Sequence, residues 1–237
     1  MKINTYLMLI VATSTLLFSC GNNEKKEEPT TTVVEENDSN FVWKTEQFAD
    51  IKIVRYKINS WDKLSLQQKK LVYFLTQAGY SGRDIIWDQN YRYNLRIKRA
   101  LENIVQNYQG NKEAEDWKNF MIYTKRIWFA NGIHHHYSMD KFKPDFSKEY
   151  FTSLMKDTKT ELNPEIVEVI FNPEIDNKKV SLDANKDLLL ASASNFYAPD
   201  VTEKEASAFY ASKVDKNNHE PLSFGLNSKL VRWANGL

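Results

Sequence analysis

The stretch Trp128-Phe129-Ala130-Asn131-Gly132-Ile133-His134-His135-His136-Tyr137 marks the point where helical spacing stops and a polar loop begins. Upstream of it, Trp117, Phe120, Met121, Thr124 and Trp128 recur at three- and four-residue intervals. That period predicts a helix from about Lys112 to Phe129 with those side chains on one side. Asn131-Gly132 then closes it, because glycine tolerates the left-handed backbone on which helices end. Three consecutive histidines follow. In a strand, neighbouring side chains point to opposite faces, so His134 and His136 could converge but His135 could not join them. A zinc ion takes three or four protein ligands, and the chain holds one further histidine, His219. We therefore expect this loop to line a ligand cleft and to bind no metal.

Working outward, the same logic gives a mainly helical α+β body with a minor sheet. Residues 51–58, IKIVRYKI, alternate apolar and basic side chains and read as a strand. Ser65 with Gln68 forms a capping-box pattern that opens a helix, whose expected inward stripe is Leu71, Phe74, Leu75 and Ala78. Gly79 and Gly82 end or bend it, and a short turn carries Ile85, Ile86 and Trp87. A further helix is expected from about Tyr91 to Tyr108, with Leu95, Leu101, Ile104, Val105 and Tyr108 inward. Beyond the histidines, Ser147 caps a helix carrying Phe151, Leu154 and Met155, and Asn163-Pro164 starts another, with proline at the first helical position. Thr202 and Glu205 repeat the capping box for a helix reaching about Lys213. Strand-like pieces are expected near Lys178–Leu182 and Leu222–Val231, and the ending on Leu230, Val231, Trp233 and Leu237, after a strand-like Ser223–Trp233, reads as an interrupted element.

The N-terminus reads differently. Lys2 is followed by a mostly apolar run, Tyr6–Leu17, which ends in Leu17-Phe18-Ser19-Cys20. The run is shorter than the roughly 20 residues of a bilayer span and fits a secretory signal over residues 1–19. A small residue before a cysteine, three positions after a leucine, is similar to a bacterial lipobox. Cys20, the only cysteine in the chain, is then the expected site of lipid attachment. Residues 21–40 hold six acids against Lys25 and Lys26, a net of −4, with little to bury. They read as a solvated tether behind the lipidated cysteine. The expected location is the cell envelope, with the protein exported and anchored by lipid.

The whole chain carries +1, Lys2 contributes +1 and the tether −4, so the body from Phe41 to Leu237 carries +4. That charge is mild and dispersed, which argues against nucleic acid as a partner. No internal disulfide is available to a chain with one cysteine. The sequence contains no His-Glu-x-x-His, no Gly-x-Ser-x-Gly and no phosphate-binding glycine loop. Asp84, Asp88 and Asp140 are candidate acids that read as surface or capping groups. No catalytic residue is assigned in this chain.

Several segments, taken in order, resemble the N-terminal part of dipeptidyl peptidase III, a family of zinc exopeptidases that release dipeptides from peptide N-termini. They are Phe48-Ala49-Asp50, the run Leu64–Tyr73, Gly82-Arg83-Asp84-Ile85 with Asp88-Gln89-Asn90, and Glu115–Phe120. Trp128–Tyr137 with Asp140-Lys141-Phe142 follows, then Asn195-Phe196-Tyr197 and Gly225-Leu226-Asn227-Ser228. The resemblance implies a two-lobed enzyme whose zinc sits in the other lobe, on a His-Glu-x-x-Gly-His helix and a further glutamate. Residues 41–237 correspond to the non-zinc lobe, with a small β-core and surrounding helices. Short peptides are the implied ligands. The implied substrate-binding residues are His136, Tyr137 and Ser138, with Asn131 and Gly132 shaping the turn. The zinc motif itself is absent from this sequence. The chain is expected to bind no zinc and to be inactive alone. Its expected identity is a truncated peptidase, or half of one completed by a separate catalytic lobe. The alternative is a free-standing peptide-binding surface lipoprotein.

Overall fold

The structure, a computed structural model, describes residues 41–214, 217, 228–234 and 236. The signal segment, Cys20, the tether, His219 and most of the expected strand at Leu222–Val231 lie outside them. Two short antiparallel strands come first, β1 (Lys44–Phe48) and β2 (Ile51–Val54). They pair with Phe48 opposite Ile51 and Gln47 opposite Lys52, with a bulge between Lys44 and Glu46. Among the described residues seven α-helices follow: α1 (Leu66–Ser81), α2 (Arg83–Asn90), α3 (Asn94–Asn107), α4 (Glu115–Ala130), α5 (Lys148–Asp157), α6 (Pro164–Phe171) and α7 (Glu203–Lys213). The architecture is mainly helical α+β, as the patterning predicts.

The caps form where the sequence placed them. Ser65 and Thr202 each accept from the backbone N–H three residues on, and Gln68 and Glu205 reach back to complete both capping boxes. Ser147 accepts from the Tyr150 amide, and Pro164 opens α6. Each such cap satisfies a helix-end donor that would otherwise lack a partner.

The core lies around α3, which packs against α2, α4 and α5. Ile97, Leu101 and Ile104 of α3 are fully buried, as are Phe120 and Ile127 of α4 and Phe151 and Leu154 of α5. Phe120, Phe146, Phe151 and Phe171 form an aromatic cluster, and Tyr108 stacks on Trp117 at 4.5 Å. Such ring pairs add to the apolar area they bury. A smaller cluster gathers Val201, Ala206 and Leu230.

Three expectations need correction. The strand expected over residues 51–58 stops at Val54, and Tyr56 and Ile58 are exposed. The piece near Lys178–Leu182 is no strand; Lys178 makes one isolated bridge, to Asp140. The inward stripe of α1 is not inward: Leu71, Phe74 and Leu75 are 58%, 65% and 62% exposed, and no residue of α1 is buried. Residues Leu71-Val72-Tyr73-Phe74-Leu75 are consecutive, so apolar side chains circle the middle of the helix, between the polar Gln67–Lys70 and Thr76-Gln77. A turn that is apolar all round is suited to burial on several sides, and the described residues leave most of it exposed. The period of the sequence reports which residues are apolar, but not what covers them.

Candidate functional site

The helix α4 ends as its last residues dictate. Asn131 takes the left-handed conformation (φ 55°, ψ 44°), and the Gly132 amide donates back to the Ile127 carbonyl at 3.0 Å. Gly132 has φ 149°, a backbone that side chains disfavour. From there the chain folds into a small irregular hairpin. His135 donates to the Asp140 carbonyl at 2.7 Å, Phe142 to the Ile133 carbonyl at 2.8 Å, and His134 bridges Lys141. The ladder continues sideways. Lys141 donates to Asn177, Lys179 to Met139, and Ala193 and Ser194 to Lys178 and Lys179. These contacts include two isolated bridges, His134–Lys141 and Asp140–Lys178, and lie outside the β1–β2 sheet.

Polar side chains pin the base. Asn94 is fully buried on the first turn of α3. Its Oδ1 accepts from the Ile133 amide at 3.1 Å, and its Nδ2 donates to the Trp87 carbonyl at 3.1 Å. Asn90 Nδ2 donates to the Asn131 carbonyl at 3.0 Å. His134 is buried edge-on against the Tyr91 ring, and its Nε2 donates to the Asp176 carbonyl at 2.7 Å. A carbonyl can only accept, so this bond fixes the tautomer. Burial pushes the His134 imidazole down to about 4, against the opposing pull of the Asp176 carbonyl; Lys141 and Lys179 depress it further. The Asp176 carboxylate receives the Tyr91 hydroxyl at 2.6 Å and Arg92 at 2.7 Å. Burial, then that bond, raises the Tyr91 phenol.

Lys141 is the other anchor. It is 8% exposed, and its Nζ donates to the Val169 carbonyl at 2.8 Å, the Asn172 carbonyl at 2.7 Å and the Ile175 carbonyl. A cation at the end of α6 meets the negative pole of that helix and supplies donors to carbonyls with no helical partner. Burial lowers the lysine from its ordinary value, partly offset by Asp176 and Glu174.

The tip stands on this base. His135 and His136 stack at 4.5 Å, and His136 sits edge-on to Phe129 at 5.1 Å. His135 Nδ1 accepts from both the Tyr137 and Ser138 amides at 3.1 Å, which requires that nitrogen to be unprotonated. Tyr137 is 83% exposed, its ring 4.3 Å from that of His136. Ser138 is exposed, and its Oγ accepts from the Asp140 amide at 3.3 Å.

The structure thus places His136, Tyr137 and Ser138 together on the tip and Asn131 and Gly132 at its root. The two tip amides that an extended ligand could pair with are turned onto His135. Donors for zinc do not converge here: His134 faces the Asp176 carbonyl, His135 Nδ1 faces two amides, and His136 lies against rings. The described residues contain no group of three or more His, Cys, Asp or Glu side chains placed to hold a metal. Asp84, Asp88 and Asp140 are surface groups, engaged by Lys98, Asn195 and Lys178 respectively. Sequence patterning missed Asn94, Lys141 and Asp176 as the supports of the loop. A polar residue at an inward position of α3 is the one signal that could have singled out Asn94.

No family model matches this chain, and no curated protein matches it. No helix of the described residues is long and apolar enough to cross a membrane.

Proposed function

We propose that residues 41–237 act as the peptide-binding, non-zinc lobe of a dipeptidyl peptidase III-like metallopeptidase, exported and held to the cell envelope by lipid on Cys20. The observation that supports this most directly is the hairpin tip. A rigid base, fixed by Asn94, His134 and Lys141, holds one exposed aromatic ring, Tyr137, beside a stacked imidazole pair. Exposed tyrosine on a fixed support offers a ring face and a hydroxyl to a peptide with little entropy to lose. The exposed apolar run Leu71–Leu75 of α1 supports the two-lobe half of the proposal, since a contiguous exposed apolar patch is suited to a further packed mass. Hydrolysis would need a metal-bound water, and the residues described do not fit a zinc ion, so no hydrolytic step is assigned to them.

Calorimetry with a short peptide and, separately, with zinc tests the proposal. Peptide binding weakened by Tyr137→Ala, with no tight zinc binding and no dipeptidyl-naphthylamide hydrolysis, is the expected result. Tight one-to-one zinc binding lost with the histidines, and no peptide binding, would overturn it. Peptide binding that a catalytic lobe supplied in trans cannot turn into hydrolysis would identify a free-standing binding lipoprotein instead.

A further inference from the structure

Away from the hairpin, an open depression of about 470 Å³ lies between α3 and the connection from α5 to α6, lined by Arg96, Arg99, Asn103, Lys159, Glu161 and Asn163 among others. Arg96 and Arg99 are three residues apart on α3 and so share one face of that helix. Lys159 comes from across the cleft, at a left-handed backbone position with φ 52°. Asn103 fixes that side: its Nδ2 donates to the Thr158 carbonyl at 3.2 Å and to Thr160 Oγ1 at 2.8 Å.

Many cations of the molecule are paired, although among the described residues Arg55, Lys143 and Lys156 join no ion pair; what this cleft adds is three such cations on one depression. Arg92, Arg126 and Arg232 each meet a carboxylate, and Arg83 lies over the Tyr80 ring. Lys98 of α3 itself and Lys148 of α5 are likewise paired. Among the described residues, no ion pair joins Arg96, Arg99 or Lys159 to any carboxylate, although Glu161 lines the same cleft and Glu165 stands nearby on α6, where it accepts from the Tyr93 hydroxyl. Three cations facing one concave space repel one another, and one acid on the rim leaves a surplus of two positive charges. A pair of guanidinium forks is suited to an oxyanion with several acceptor oxygens. The surplus favours a dianion over a single carboxylate.

We infer that this cleft binds a phosphoryl group, carried either by a free solute or by a lipid headgroup. Arg96 and Arg99 hold its oxygens from α3, and Lys159 neutralises the remaining charge. The full chain is titrated with pyrophosphate by calorimetry, and with phosphatidylcholine vesicles doped with phosphatidic acid by co-sedimentation. Binding of at least one probe is expected, weakened about tenfold in the double variant Arg96→Gln, Arg99→Gln and less in Lys159→Gln. Lys143→Gln, an exposed lysine away from the cleft, should leave it unchanged. All four side chains are exposed, so the thermal transitions of the variants should match the parent's. Arginine-dependent binding of pyrophosphate assigns the phosphoryl group to a free solute; arginine-dependent binding of vesicles alone assigns it to a headgroup. Saturable binding of neither probe, or an equal loss in Lys143→Gln, overturns the inference.

Discussion

The Asn94 carboxamide occupies the space that a side chain at position 132 would need: a β-carbon placed on Gly132 would fall 2.2 Å from Asn94 Nδ2. Because Asn94 is fully buried and bonded to Trp87 and Ile133, it cannot swing away without breaking those bonds. Gly132→Ala should therefore combine backbone strain with a collision and destabilise the protein by about 3 kcal/mol. Asn94→Ala removes the collision but orphans the Ile133 amide, at a cost of about 2 kcal/mol. In the double variant the penalties should be less than additive, and urea unfolding of all three proteins measures the coupling.

Lys141 makes a second, separable prediction. Lys141→Met keeps the stem but leaves the Val169, Asn172 and Ile175 carbonyls without their shared donor. We expect a loss of about 3 kcal/mol. A surface lysine would cost under about 0.5 kcal/mol, so a shift that small in the denaturation midpoint would mean Lys141 does not anchor α6.

The expected pH dependence follows from His134. Its folded value, about 4, lies below the ordinary 6.5, so the folded state resists a proton that the unfolded state accepts. Stability is then full above about 6.5 and is lost as pH falls toward 4, by about 3 kcal/mol in all. His136, also lowered by desolvation, acts in the same direction. Glu205, held down to about 2 by its Thr202 bonds and Arg232, adds acid sensitivity at lower pH. The slope between pH 6.5 and 5 should flatten in His134→Gln; an unchanged slope there would remove His134 as its source.

The role proposed for Cys20 is tested by fractionation. Cys20→Ser should leave the protein uncleaved or released in soluble form, with the lipid mass gone. Unchanged membrane fractionation together with unchanged mass would end the lipid-anchor proposal.

Local chemistry was the part most legible in sequence. Ser65-x-x-Gln68, Ser147, Asn163-Pro164 and Thr202-x-x-Glu205 each name a helix start, because a cap is decided within four residues. The end of α4 at Asn131-Gly132 was equally readable. The supports of the loop were not. Asn94 and Ile133 are 39 residues apart, and Lys141 reaches carbonyls 28 to 34 residues on. Nothing in a local period encodes such pairings. The α1 stripe failed for a second reason: its side chains are apolar as expected, but burial is a property of the surroundings.

The hairpin β1–β2 reaches α4 through Glu46–Lys125 and Asp50–Arg126, while α1 buries none of its sixteen residues. An isolated helix of about that length is marginal in water, because its nucleation is costly and tertiary packing normally holds it. Amide protons of α1 should therefore exchange with solvent far faster than those of α3 and α4, whose inner faces are closed. The further lobe proposed above, if it docks on α1, would meet a segment that completes its folding during the encounter. Its association rate would then report helix–coil kinetics as much as diffusion.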